Sequence, residues 1–74
     1  MRRFADRDGG EWEVVAGRES WGAIVALFIP TTDGVEIRQA PLSGSGYDTA
    51  AAELDRMSEH DLRALLERSN PKTL

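Results

Sequence analysis

The sequence contains no cysteine and a single histidine, His60. Disulfide cross-links, thiolate nucleophiles and the His/Cys cages that hold zinc are therefore excluded. Lysine is almost absent too, Lys72 being its one instance, and 9 Lys and Arg stand against 13 Asp and Glu for a formal net charge of -4. Grip on a nucleic-acid backbone draws on clustered cations, so this balance argues against a nucleic-acid partner. No apolar run approaches the roughly 18 residues of a membrane span, and no long apolar stretch follows Met1-Arg2-Arg3, so neither a membrane role nor a secretory signal is expected. What is present is an ordinary globular composition, 41% hydrophobic and 30% charged over 74 residues, which fits one domain over 1–74. At about 70–80 residues a core rarely supplies more than a few kcal/mol. Without disulfides or metal, the chain must pack very efficiently or recruit a partner.

Residues 1–40 read as strands and residues 48–69 as helix, joined by a Ser/Gly connector over 43–47. Residues 2–6 form a short strand carrying Phe4, and Arg7-Asp8-Gly9 is a three-residue hairpin loop with Gly9 supplying the positive φ such loops need. That register sets Phe4 opposite Trp12; a two-residue turn at Gly9-Gly10 is the competing register. Residues 11–16 alternate, with Trp12, Val14 and Ala16 on one face and Glu11, Glu13 and Val15 on the other, the pattern of a half-buried strand. Gly17-Arg18-Glu19-Ser20 turns into residues 21–29, whose stretch Ala23-Ile24-Val25-Ala26-Leu27-Phe28-Ile29 is unbroken apolar and stopped by Pro30. A run greasy on both sides marks a strand covered on both sides. Thr31-Thr32-Asp33-Gly34 is a turn, and residues 35–40 return as a strand with Val35 and Ile37 inward, Glu36 and Arg38 outward, closed by Pro41.

Asp48 or Thr49 is expected to cap a first helix through Leu54. Ser58, three residues before Asp61, resembles a capping box and starts a second helix that Asn70-Pro71 ends. The expected fold is α+β: a four-stranded antiparallel meander with two short C-terminal helices packed on one face.

Two short helices cover one face of such a sheet and leave the other. The face left over is expected to carry Val15, Ile24, Ala26 and Phe28, each large side chain giving up about 1.5–3 kcal/mol if exposed. Contiguous apolar patches on small domains mark interaction surfaces. These four residues are accordingly assigned to an interface with a second copy or a larger protein. The alternative is that twist and curling bury both sides within one chain.

Catalytic signals are weak. His60 sits in a helical first turn, where Glu59 and Asp61 point away from it, and reads as a solvated residue. Asp6, Asp8, Glu11 and Glu13 cluster around the first hairpin without the spacing of a calcium loop, and Arg3 and Arg7 are near enough to neutralise part of the charge. Ser43-Gly44-Ser45-Gly46 lacks the lysine of a phosphate loop, and Ser20 lacks a nucleophile-elbow context. No catalytic residue, metal or cofactor is expected. Trp12 reads as core, whereas Trp21, with Arg18 able to lie over it, is a candidate ligand-binding point.

The spacing Phe4, Asp6, Gly9, Trp12, Val14, with the strand ending Leu27-Phe28 and a closing Leu62-Arg63-Ala64-Leu65-Leu66, resembles a group of small uncharacterised bacterial proteins. These open on a Phe-x-Asp-x-x-Gly-x-x-Trp-x-Val hairpin and finish in an acidic amphipathic helix. The resemblance implies a bacterial, cytoplasmic protein and brings no activity or site residues with it. The leading functional expectation is a non-enzymatic interaction module, a small regulator or adaptor acting through its apolar sheet face as a homodimer. The alternative is a small-ligand or peptide binder using Arg18 and Trp21.

Overall fold

A computed structural model describes residues 2–19, 22–31, 36–42 and 46–72. Five strands, β1 (Arg2–Ala5), β2 (Glu11–Arg18), β3 (Ile24–Pro30), β4 (Arg38–Pro41) and β5 (Asn70–Pro71), form one antiparallel sheet in sequential order. Helices α1 (Tyr47–Arg56) and α2 (Glu59–Glu67) lie between β4 and β5 in the chain. The α+β meander is as expected, with a fifth strand added where only a helix stop was read.

The first hairpin has the expected register, Phe4 opposite Trp12, and Gly9 takes φ +86°. Its geometry is set by Asp6, whose Oδ1 accepts from the Asp8 and Gly10 amides at 2.9 and 2.7 Å and whose Oδ2 accepts from the Trp12 indole N–H at 2.8 Å. A short carboxylate bonding its own backbone two to four residues on is what turns the chain here. Strand β2 runs two residues further than the alternation suggests, through Gly17 and Arg18. The reversal that follows is closed by Glu19 N–H to Ala23 O at 2.8 Å and Gly22 N–H to Glu19 O at 2.9 Å, with Gly22 at φ +101°.

Register decides which side of β3 meets the helices. Val14 stands opposite Phe28 and Ala16 opposite Ala26 and, beyond it, Ala40. Residues paired directly across antiparallel strands share a face. One face therefore carries Phe4, Trp12, Val14, Ala16, Ile24, Ala26, Phe28 and Ala40, and these join Ala50, Leu54, Leu62, Leu65 and Leu66 in a single buried cluster. Phe28 is at its centre, fully enclosed and edge-on to Phe4 at a centroid distance of 5.9 Å. Helix α1 lies on β2 and β3, and α2 against β1 and β4. The small Ala16, Ala26 and Ala40 across three strands let a helix approach closely, which the larger Val25, Leu27 and Ile29 on the other side of β3 would not.

Helix α1 starts earlier than expected, at Tyr47 with Gly46 as its N-cap and no side-chain cap. Helix α2 starts where expected, Ser58 Oγ accepting from Asp61 N–H at 3.1 Å, and the Met57-Ser58 break separates the two. The fourth strand begins at Arg38, later than the expected start at residue 35: Glu36 and Ile37 precede it and are both exposed, Ile37 against expectation, and Arg38, expected outward, lies on the helix side, with Nε 2.8 Å from Ser69 Oγ and Nη2 2.5 Å from Ser69 O. Val35 lies outside the described residues. No helix among the described residues is long and apolar enough to cross a membrane.

Candidate interaction surface

The residues left over by the register make the second face: Ala5, Val15, Gly17, Val25, Leu27 and Ile29, with Arg3, Glu11, Glu13, Gln39 and Asn70 around them. Among the described residues no helix packs on this side. The molecule is a slab of 32 × 28 × 19 Å, the thin dimension being one sheet and one helix layer at the usual ~10 Å spacing.

This corrects the expected interface. Ile24, Ala26 and Phe28 are on the helix-covered face and are 9%, 0% and 0% exposed within their own chain. Only Val15 of the four assigned residues is on the open face, half-buried there. The two-sided apolar character of β3 was read correctly, but the set turned away from the helices is Val25, Leu27 and Ile29. Three residues lie between the closing pair Glu19 and Ala23, and an odd loop length keeps even-numbered residues of β2 facing even-numbered residues of β3.

The open face has its own local order. A Cβ on Gly17 would sit 2.5 Å from Leu27 Cδ1 and 2.9 Å from Leu27 Cγ, so Leu27 lies down across the space that glycine leaves. At one end Lys72 Nζ reaches Glu19 Oε1 at 3.3 Å and Gln39 Oε1 at 3.4 Å. Glu19 and Gln39 stand on either side of β3, next to Ala23 and Leu27, so the bridge crosses the strand between those levels, on the side where Val25 is only 7% exposed. At the other end Arg3 Nη2 and Glu13 Oε1 pair at 3.0 Å. Both charged rims are thus neutralised in place, with Glu11 a further carboxylate at the corner.

Other candidate residues fall elsewhere. Arg18 is exposed at the end of β2, and its proposed companion Trp21 lies outside the described residues, as do Ser20 and Ser43–Ser45. His60 is exposed on α2. In the acidic cluster, Asp6 is the turn residue described above. Its carboxyl is held below the ordinary carboxylate range chiefly by the Trp12 indole N–H, helped by the Gly10, Asp8 and Gly9 amides, against a push from burial that exceeds any one amide's effect. Glu13 pairs with Arg3, and Arg7 pairs with Glu67 at 3.2 Å. Among the described residues no group of three or more His, Cys, Asp or Glu side chains could hold a metal ion, and every buried side-chain N or O has a partner.

Three arginines to which the sequence reading gave no structural role hold the layers together. Arg2 donates to Leu54 O and Met57 O at the end of α1, Arg38 to Ser69 after α2, and Arg63 Nε to Ala5 O of β1 at 2.7 Å. Each ties a helix to the sheet through backbone carbonyls, and carbonyl acceptors leave no trace in a sequence.

No family model, curated protein or solved structure matches this chain.

Proposed function

We propose that this protein is a non-enzymatic interaction module, a small regulator or adaptor, whose open sheet face is covered by a second copy of the chain. The observation that carries the reading is the apolar set Val15, Val25, Leu27 and Ile29 on the side of the sheet that no helix covers. The five strands, ~4.8 Å apart and on average about five residues long at ~3.3 Å per residue, give a footprint of roughly 400 Å². That is below the about 600–800 Å² per partner of standard interfaces and suits a weak, reversible dimer. Face-to-face packing would turn a 19 Å slab into a body with more equal dimensions. The Arg3–Glu13 and Glu19–Lys72 pairs neutralise two rims of the face and leave Glu11 as a carboxylate at its corner. The first hairpin's resemblance to small bacterial proteins supports a cytoplasmic bacterial setting.

Size-exclusion chromatography with light scattering from 1 to 200 µM tests the reading. The mass is expected to rise toward twice the 8.2 kDa of the chain, and Val15→Lys, on the half-buried open face, to hold it at the monomer with an unchanged far-UV spectrum. A monomer throughout, or a dimer indifferent to Val15→Lys and Ile29→Lys, would overturn it.

A further inference from the structure

The ion pair between Lys72 Nζ and Glu19 Oε1, 3.3 Å apart, joins residues that lie far from each other on the sheet. Lys72 follows Pro71, which stands beside Arg38 and, across it, Phe28, whereas Glu19 N–H bonds Ala23 O. Five residues of strand and three strand spacings separate the two. On a flat sheet that is roughly 20 Å, more than the two extended side chains and the bond between them cover. The twist of the sheet therefore carries these diagonal corners toward each other over the open face. The pair is well enclosed, its side chains 26% and 17% exposed, each less than its counterparts in the other ion pairs of the described residues. Val25 stands on β3 between the levels that the bridge connects.

The segment that carries Lys72 is firmly rooted and lightly held. Its root, Ser69, is buried and fixed by the Arg38 guanidinium. Beyond Ser69 the backbone meets β4 through Asn70 beside Gln39 and through Lys72 N–H on Ile37 O at 2.8 Å. Pro71 between them has no N–H to give. The side-chain ties of Lys72 are its bonds to Glu19 and Gln39. A short segment with so few bonds opens locally at a small fraction of the free energy of global unfolding.

We infer that Lys72 and Glu19 form a clasp that holds residues 70–72 on β4 and the sheet curled over its open face, and that release of the clasp lifts this segment and bares Val25. Closed, the clasp leaves a partner the strip through Val15 and Ile29; released, it adds Val25 to that strip. Salt screens the pair and shifts it toward release. The clasp thus regulates access to the surface proposed above, and only this use of it rests on that reading.

Amide hydrogen exchange in the ¹⁵N-labelled full chain, at a concentration where light scattering gives the monomer mass, separates the clasp from general loosening. In β4 the backbone of Gln39 faces Asn70, whereas Leu42 N–H bonds Ile24 O, so the even-numbered Arg38 and Ala40 face β3. Raising NaCl from about 20 to about 500 mM is expected to speed exchange at Gln39 about threefold and to leave Arg38 and Ala40 unchanged. Lys72→Glu is expected to do the same at low salt, with stronger relaxation of the Val25 methyl protons by a dissolved neutral nitroxide. Combining Lys72→Glu with Glu19→Lys is expected to restore both readouts. A Gln39 rate that follows Arg38 and Ala40, indifference to salt, Val25 relaxation unchanged in Lys72→Glu, or no rescue by the exchanged pair would each overturn the inference. Both readouts belong to the single chain and the dimer is judged by mass, so either can fail without the other.

Discussion

Replacing Asp6 by alanine isolates what the first hairpin contributes. The substitution removes an acceptor from the Asp8 and Gly10 amides and from the indole N–H of Trp12, a residue only 7% exposed. The two amides lie in a surface turn where water replaces the carboxylate, so their loss compares with that of a capping side chain, about 1 kcal/mol. The indole N–H has less access to water, and leaving such a donor unpaired costs about 1–3 kcal/mol. The sum is about 2–4 kcal/mol, a large share of the roughly 4–11 kcal/mol that a domain of this size has in total. For a domain of this length it corresponds to a fall in Tm of about 8–30 °C. Urea unfolding followed by tryptophan fluorescence and far-UV circular dichroism measures it directly.

The same residue carries a pH signature. Its native pKa is lowered, from 3.8, by the Trp12 bond first and the backbone amides after it. A carboxyl depressed in the native state contributes stability that is complete above its unfolded pKa and lost as pH falls through the native one. The stability gap between the natural protein and Asp6→Asn is therefore expected to be constant between about pH 7 and 5 and to shrink below about pH 4. A cost under about 0.5 kcal/mol for Asp6→Ala, or a gap that persists undiminished at pH 3, would refute the assignment of Asp6 as the organiser of the turn.

Phe28→Ala empties the centre of the core beneath Phe4 and is expected to cost about 3–5 kcal/mol, enough to unfold the domain at 37 °C by circular dichroism. Gly17→Ala drives a methyl into Leu27 and is expected to cost about 1–2 kcal/mol. In a denaturation double-mutant cycle Leu27→Ala removes most of that penalty, giving a favourable coupling energy of about 1 kcal/mol. Ser58→Ala deletes the oxygen that caps α2, and a loss of about 1 kcal/mol with faster amide exchange at Asp61 is expected.

Where neighbouring residues specify structure between themselves, the sequence was readable. Phe4, Gly9 and Trp12 set the hairpin register within nine positions, although Asp6 was read only as one of an acidic cluster and not as the residue that organises the turn, and Ser58 caps its own helix three residues on. Legibility failed where the outcome depended on a distant partner. Nothing near β3 says which of its two apolar sets faces a helix that begins at Tyr47, and the odd loop between Glu19 and Ala23 settles it. Arg38 was read outward because it is charged. It lies on the helix side because Ser69, 31 residues away, holds its guanidinium while its aliphatic stem covers the core's edge. The two-residue β5 is shorter than any periodic signal, and its Pro71 sits on a sheet edge where a missing donor is tolerated.

The misplaced interface follows from the same distinction. The segment 23–29 could be recognised as apolar on both sides without knowing its neighbours, and that property survives in the structure on both faces. Assigning Phe28 to the open side required a parity that no local signal holds, and the error exchanges every residue of the strand at once. Energetics resolves the choice after the fact. Burying Phe28, Ile24 and the alanines lets α1 sit directly on β2 and β3, while Val25, Leu27 and Ile29 are left to be shielded by smaller means. Those means are visible: Leu27 lies over Gly17, and Lys72 bridges Glu19 and Gln39 beside Val25. Both protect the end of the face near the β2–β3 turn. The least shielded part is the strip through Val15 and Ile29, and for that reason these two positions, rather than Val25 or Leu27, are where a lysine tests the proposed pairing of two copies with least harm to the fold of one.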